Sequence, residues 1–274
     1  MKPLAATIIA TILMGAAALA QSTPPSKDPP APATVSTMSD KNKQYLDAYL
    51  AAWEKRMLKI DGLETKCVLT EVEDGQKVVR VGEAALLKPN YCKLFLRDQA
   101  NPNNTKKIRH FVADGKYLWQ YDYGKKVVLV EELPKDGIGD NMLMAFLFMT
   151  KAADLKKRFD LTIDVDNPER HTDHYLFISI LPKSKEDMQD FKKAELVLWK
   201  NNKDEKFADR WMLPARLWFQ QPNGNQIIWE FQNQSTEKHL AAKDFQAPAL
   251  PDRDWKREWS RPPAPIVRTS APPK

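Results

Sequence analysis

The stretch from Phe111 to Leu133 constrains the fold more than any other part of the sequence. Within 23 residues it holds three segments with the residue types of strands, separated by two tight turns. The pair Asp114-Gly115 is typical of a two-residue hairpin turn, because both residue types tolerate the positive φ angles that such turns need. Strands joined by turns this short lie antiparallel, so the stretch predicts a β-meander.

One strand of this stretch carries aromatic residues at alternate positions. The four are Tyr117, Trp119, Tyr121 and Tyr123. Successive side chains of a strand point to opposite faces, so these rings should share one face of the sheet. An aromatic face of this size needs a cover, and the identity of that cover bears directly on function.

Strand patterns separated by turn residues continue over most of the chain. Besides the opening stretch, they cover residues 63–73, 77–87, 91–97, 108–113, 159–165, 174–181, 195–200, 213–220 and 226–233. Large sheets twist, and about ten or eleven antiparallel strands are expected to curl. The sequence therefore predicts a mainly β (α+β) fold, an incomplete antiparallel β-barrel capped by two or three helices.

Residues 40–60 have the periodicity of an amphipathic helix. Ser39 or Asp40 can cap its start, and Asp61-Gly62 is typical of its end. Its apolar stripe comprises Tyr45, Leu46, Tyr49, Leu50, Trp53, Met57 and Ile60. This stripe favours docking on the sheet, while a helix lying on a membrane surface is the alternative.

The two ends of the chain differ in composition from its middle. Residues 1–20 are expected to be a secretory signal peptide, with Lys2, an apolar run and a small-residue cleavage site before Gln21. Residues 21–38 and 252–274 contain ten of the 20 prolines, so they are expected to be a flexible linker and a basic tail. The expected folded body is residues 39–251. The chain is expected to reach the periplasm or another compartment for exported proteins, and to be soluble after the signal peptide is cleaved.

The net charge of +6 is modest and spread along the chain. It permits weak attraction to an anionic membrane surface. No basic face with interleaved aromatic residues stands out, so the sequence predicts no nucleic-acid partner.

Residues 142–149 are apolar on every side and include three methionines and two phenylalanines. The residue types favour a helix, and a helix without a polar face must be buried or must close something. Because methionine adapts to irregular apolar partners, this segment is a candidate lid over a ligand.

No catalytic constellation emerges from the sequence. Cys67 and Cys92 lie in strand patterns on the first and third strands, which favours two buried thiols over a disulfide. His171 and His174 share a loop with Asp173, but a third metal ligand of known geometry is missing. The sequence predicts a non-enzymatic protein without cofactor or metal.

The sequence resembles the family of periplasmic lipoprotein carriers and outer-membrane lipoprotein-sorting receptors, the LolA/LolB-like family. The matching segments are residues 112–133 with Asp-Gly-Lys and Leu-Trp, Gly82 with residues 86–96, residues 141–149 followed by 154–163, and residues 213–234 with 243–251. In the basic-Pro turn, Lys88 stands where the carrier has an arginine. The resemblance implies an incomplete barrel around an apolar cavity that receives acyl chains.

These features together predict a monomeric carrier or sensor of an acyl chain or another apolar ligand, with a membrane-associated donor or acceptor protein as partner. The alternative is a structural or interaction protein of the cell envelope with a solid core, in which the tail with Trp255 and Trp259 does the binding. The residues expected to contact the ligand are Lys88, Leu94, Leu96, Trp119, Tyr121, Met144, Phe146, Phe148, Leu217, Phe219 and Trp229.

Overall fold

The computed structural model describes residues 38–133, 151–200, 208–236, 240–250 and 253–260. These residues form one twelve-stranded sheet with three α-helices. The expected signal peptide, most of the linker and the candidate lid at 142–149 lie outside the described residues. None of the described helices has the length and hydropathy needed to cross a bilayer.

The elements follow the order expected from the sequence. The helices are α1 (Asp40–Leu58), α2 (Ala152–Arg158) and α3 (Asp187–Asp190). The strands are β1 (Gly62–Glu73), β2 (Gln76–Leu87), β3 (Tyr91–Asp98), β4 (Arg109–Asp114), β5 (Tyr117–Asp122), β6 (Val127–Glu132), β7 (Phe159–Thr162), β8 (Tyr175–Pro182), β9 (Lys193–Trp199), β10 (Pro214–Gln220), β11 (Gln226–Ser235) and β12 (Lys256–Trp259).

The strand order in space is β12-β6-β5-β4-β3-β2-β1-β11-β10-β9-β8-β7. Every neighbouring pair is antiparallel except β12 and β6, which run parallel. Strands β7 and β12 form the two edges and do not pair with each other, so the sheet is open. This architecture confirms the predicted mainly β, incomplete barrel, although the strands number twelve rather than ten or eleven.

The extra strand is β12, beyond the expected end of the folded body at residue 251. Its residues pair with β6 from Lys256 opposite Val127 to Trp259 opposite Val130. The sequence of β12 is mostly charged, as is common for edge strands that must discourage pairing with other chains. The sheet therefore extends into the segment that the prolines marked as a tail.

Helix α1 begins where the sequence indicated. The Ser39 hydroxyl accepts a hydrogen bond from the Asn42 backbone N–H at 3.2 Å, which satisfies one free donor of the first turn. Leu46, Leu50, Trp53 and Met57 are at most 3% exposed. The apolar stripe thus docks on the sheet, which decides against the membrane-surface alternative for this helix.

Gly82 lies at a point where β2 and β3 come unusually close. A Cβ at this position would collide with the Phe95 carbonyl oxygen. The backbone of β3 therefore excludes any side chain here, which explains a glycine in the interior of a strand.

Candidate functional site

The sheet has two different faces, which we name by their packing. The inner face packs against α1, and their buried side chains form one apolar cluster, called here the inner cluster. The outer face carries a second and smaller cluster on β4, β5 and β6. Side chains directly opposite each other on paired strands share a face, so the register assigns each predicted site residue to one of the two.

Five of the predicted site residues lie in the inner cluster. They are Leu94, Leu96, Leu217, Phe219 and Trp229, and each is at most 5% exposed. Leu217 lies opposite Trp229, which lies opposite Leu69 on β1. The structure thus brings these residues onto one apolar surface, and they are buried in the same cluster as the stripe of α1.

Trp119 and Tyr121 do not belong to this surface, contrary to the shared cavity wall that the sequence suggested. Trp119 lies opposite Val112 and Val130, whereas Phe111 lies opposite both Leu94 and Gln120. The side chain of Gln120, between the two aromatic residues in sequence, therefore faces inward while theirs face outward. The aromatic face predicted for β5 is real, but it is the outer face.

The C-terminal segment covers this aromatic face. The Trp255 ring lies 5.1 Å from the Tyr123 ring between centroids, and the Trp259 ring lies 5.3 Å from that of Tyr117. The Tyr121 hydroxyl donates a hydrogen bond of 2.9 Å to the Pro248 carbonyl. The aromatic face of β5 is thus covered by a segment of the same chain.

Charged side chains reinforce the cover. The Arg257 guanidinium lies over the Trp119 ring at 5.0 Å from its centroid, and the Lys126 ammonium lies 3.1 Å from an Asp254 carboxylate oxygen. Trp255 is only 7% exposed. We call residues 246–259 the C-terminal strap, of which residues 251 and 252 are not described.

The sequence predicted that Lys88 contacts the ligand. In the structure its ammonium group makes a contact within the protein. Its Nζ donates to the Met57 carbonyl at 2.6 Å, near the C-terminal end of α1, where free carbonyls need partners. Burial lowers the pKa of this ammonium, and Asp61 opposes the shift. The lysine ties the β2–β3 turn to the helix.

The remaining predicted site residues, Met144, Phe146 and Phe148, lie outside the described residues. Their predicted role as a lid stays a prediction.

A cavity of about 520 Å3 lies on the outer face, at the start of the segment that leads into the strap. Its charged lining residues are Glu64, Lys66, Glu83, Lys93 and Asp244, together with Phe95, His110 and Leu240. Lys93 donates to the Asp244 carbonyl at 2.8 Å, which joins β3 to this segment. The mixed charges distinguish this cavity from the apolar inner face.

One buried ionic group interrupts the inner face near the Asp74-Gly75 turn. The Glu71 carboxylate pairs with Arg80, and the Arg109 guanidinium lies 3.6 Å from the same carboxylate. Glu71 and Arg80 are less than 9% exposed. Burial and the neighbouring Arg109 lower the pKa of Arg80 to about 10, although Asp98 acts in the opposite direction.

Two uncharged side chains of the inner side present buried donors without a hydrogen-bond partner among the described residues. One is Trp53 Nε1 in the middle of α1, and the other is Gln120 Nε2 on β5. The sequence predicted Trp53 as an apolar residue of the helix stripe and gave its N–H group no role. The signal available was a tryptophan at a stripe position where the neighbours Leu50 and Met57 offer no strong hydrogen-bond acceptor.

The structure offers no nucleophile among its cysteines. Cys67 and Cys92 are free thiols, and burial raises the pKa of each to about 12. They remain protonated at neutral pH, which makes them unreactive. The described residues contain no group of three or more His, Cys, Asp or Glu side chains arranged to hold a metal ion.

His171 has a contact that the sequence did not indicate. Its Nε2 lies 2.9 Å from the Tyr49 hydroxyl, so the loop before β8 is tied to α1. Burial lowers the pKa of this imidazole, with Lys200 acting in the same direction. The contact gives His171 a role in holding the helix.

No protein-family model and no curated protein matches the chain. Several solved structures are similar to it at low sequence identity. A DUF1329 family protein from Desulfovibrio piger has a TM-score of 0.42 and 12% identity, over 77% of this chain and all of that one. A LolA superfamily protein from Nitrosomonas europaea has a TM-score of 0.39 and 9% identity, over 74% of this chain and 97% of that one.

A putative outer membrane lipoprotein-sorting protein domain from Vibrio parahaemolyticus has a TM-score of 0.37 and 11% identity, over 76% of this chain and 97% of that one. These likenesses concern the fold alone. The open sheet with its helices agrees with the incomplete barrel that the sequence resemblance implied.

Proposed function

We propose that the chain is an exported, non-enzymatic binding protein that takes an acyl chain or another apolar ligand between the inner face of the sheet and helix α1. One observation carries this proposal. The inner face is a continuous apolar surface on a sheet whose edge strands β7 and β12 do not pair with each other. An apolar ligand that replaced the side chains of α1 on the inner face would keep that face shielded from water.

The packing of the inner cluster implies that α1 must move for a ligand to bind. Leu96 and Leu217 are 0% exposed, so no acyl chain fits between them and the helix without displacement. Each methylene buried contributes about 0.8 kcal/mol, and a ligand with ten of them would offset about 8 kcal/mol of lost helix contacts. The ligand and the stripe of α1 would thus compete for one surface.

The polar ties of α1 are compatible with such a movement. Lys41 pairs with Asp166, and Lys156 pairs with Asp47, and all four side chains are exposed. Exposed ion pairs contribute little to stability, commonly under about 1 kcal/mol. These two ion pairs therefore oppose the movement only weakly, whereas the contacts of Lys88 with the Met57 carbonyl and of His171 with the Tyr49 hydroxyl would have to break.

Native mass spectrometry of the full chain tests the proposal, followed by titration with a fluorescent fatty acid. We expect co-purified lipid mass and saturable binding. Leu217→Ala should change the affinity several-fold, because Leu217 faces the inner cluster. The matched control is Trp218→Ala on the same strand, whose side chain faces outward and should leave binding unchanged. A protein that takes up no lipid contradicts the proposal.

The second candidate is an interaction protein of the cell envelope with a solid core. The near-complete burial of the five inner-face site residues favours it. In this case the strap would carry the binding, and Trp255→Ala or Trp259→Ala would abolish association with an envelope fraction while Leu217→Ala would not. A membrane-associated donor or acceptor protein and a monomeric state remain parts of the first proposal.

A further inference from the structure

Trp53 presents a buried hydrogen-bond donor to an apolar environment. Its side chain is 1% exposed, and Nε1 has no hydrogen-bond partner in the part of the chain that the structure describes. Its neighbours in the stripe are Leu50 and Met57, which are equally buried and offer no strong hydrogen-bond acceptor in their side chains. The donor therefore lies inside the inner cluster without a polar counterpart.

Such a donor is unusual in a folded protein. Most buried polar side-chain atoms have a partner, because an unpaired one retains the full cost of leaving water. Phenylalanine would fill much of the same space without this cost. A tryptophan at the centre of the helix stripe is therefore better explained by an acceptor that arrives from outside the chain.

Gln120 supplies a second donor on the same side of the sheet. It lies directly opposite Phe111 on β4 and two residues from Leu118 on the same face of β5, and both neighbours belong to the inner cluster with Trp53. The Nε2 group is buried and lacks a hydrogen-bond partner among the described residues. The carboxylate of Glu131, opposite Leu118 on β6, is also buried on this face, so Gln120 has an acceptor group of the protein itself on its own face.

We propose that the ligand of the inner face carries a carbonyl or carboxyl oxygen at one end of its apolar chain, and that this oxygen accepts a hydrogen bond from Trp53 Nε1. This inference rests on the proposed function and narrows its ligand class. A fatty acid and an acyl ester share the required acceptor, whereas a plain hydrocarbon lacks it. Trp53 would therefore favour the binding of a fatty acid or an acyl ester over that of a hydrocarbon.

Binding of three probes of equal chain length to the full chain tests the inference: palmitic acid, methyl palmitate and hexadecane. We expect the acid and the ester to bind at least about tenfold more tightly than the hydrocarbon. Equal binding of acid and ester indicates recognition of the shared carbonyl, and stronger binding of the acid indicates recognition of the carboxylate.

Trp53→Phe removes the donor and keeps an aromatic ring. We expect it to weaken binding of the acid and ester about five- to tenfold, to leave hexadecane binding unchanged, and to leave the urea midpoint unchanged or higher. Trp218→Phe is the matched control, because its Nε1 donates to Gln226 Oε1 at 2.9 Å on the outer face. It should leave all three affinities unchanged.

Several outcomes would overturn the inference. If all three probes bind equally and Trp53→Phe changes none of the affinities, the protein binds ligand as proposed but Trp53 Nε1 is not a hydrogen-bond donor to it. If Trp53→Phe lowers the urea midpoint and weakens all three probes equally, Trp53 serves only packing. If the wild-type chain binds none of the probes, the proposed function falls together with this inference.

Discussion

The imidazole of His110 is stacked on the Tyr121 ring, with centroids 4.4 Å apart and planes inclined by 19°. Its Nδ1 lies 2.9 Å from the Tyr123 hydroxyl oxygen. His110 also lines the outer-face cavity, so it joins that cavity to the aromatic face beneath the strap. A single titratable ring therefore links the two features of the outer face.

This position makes stability dependent on pH. Burial, together with the neighbouring Lys93 ammonium, lowers the pKa of His110 from 6.5 to about 4. The unfolded chain then binds more protons than the folded one between these values, so stability is lost as the pH falls from about 6.5 towards 4. Because the ring is partly exposed, we expect a loss of about 1–2 kcal/mol.

Urea unfolding of the wild type and of His110→Gln at pH 7 and pH 4.5 measures this contribution. The wild type should lose more stability than the variant, and the difference isolates His110 from His171, whose pKa is also lowered. Equal losses in the two proteins would show that His110 does not titrate in this range.

The strap should contribute substantially to stability through Trp255. Truncation by Trp255→Ala removes a ring that is 7% exposed and packs on Tyr121 and Tyr123. We expect a loss of about 2–4 kcal/mol in urea unfolding and a changed near-ultraviolet circular dichroism spectrum. Arg253→Ala, at an exposed position of the same segment, is the control and should change neither. A loss under about 0.5 kcal/mol at Trp255 would mean that the strap does not hold the face.

Gly82 should tolerate no side chain. Gly82→Ala places a Cβ against the Phe95 carbonyl, so β2 and β3 must separate, and we expect a loss of about 3 kcal/mol. Gly75→Asn is the matched control, since a Cβ at Gly75 would have no atom within 4 Å and asparagine accepts positive φ. It should cost less than about 1 kcal/mol. Similar losses at both positions would argue against a steric role for Gly82.

The ionic group on the inner face should be sensitive to the loss of the Glu71 carboxylate. Glu71→Gln leaves Arg80 buried without its carboxylate, and we expect a loss of about 3–5 kcal/mol in chemical unfolding. Asp40→Asn removes one partner of the exposed Lys43–Asp40 pair and should give no measurable shift. An unchanged midpoint for Glu71→Gln would mean that Arg80 reaches water or another acceptor.

The sequence predicted the order and approximate limits of the first eleven strands, because alternation and turn pairs are local signals. Asp74 and Gly75 have φ values of 49° and 80°, as a tight hairpin turn requires. The helix stripe was likewise predictable, because its periodicity reflects burial directly. These elements are determined by residues close together in the chain.

What the sequence did not predict depends on register and distant contacts. Alternation placed Trp119 and Tyr121 on one face of β5 but did not say which face meets α1. The pairing of Phe111 with Gln120 decides this, and it depends on the strand alignment across the turn. Strand β12 was missed because its charged residues, 256–258, carry no apolar alternation. The missing partners of Trp53 Nε1 and Gln120 Nε2 are visible only in the folded chain.

The parallel pairing of β12 with β6 has a consequence for biosynthesis. The two strands are separated by more than 120 residues, so β6 stays unpaired on one side until nearly all described strands have been made. During that interval the aromatic side chains of β5 and the free edge of β6 are exposed together, a combination that promotes association with other chains. A nascent or truncated chain ending before residue 255 should therefore depend on chaperones far more than the finished protein does.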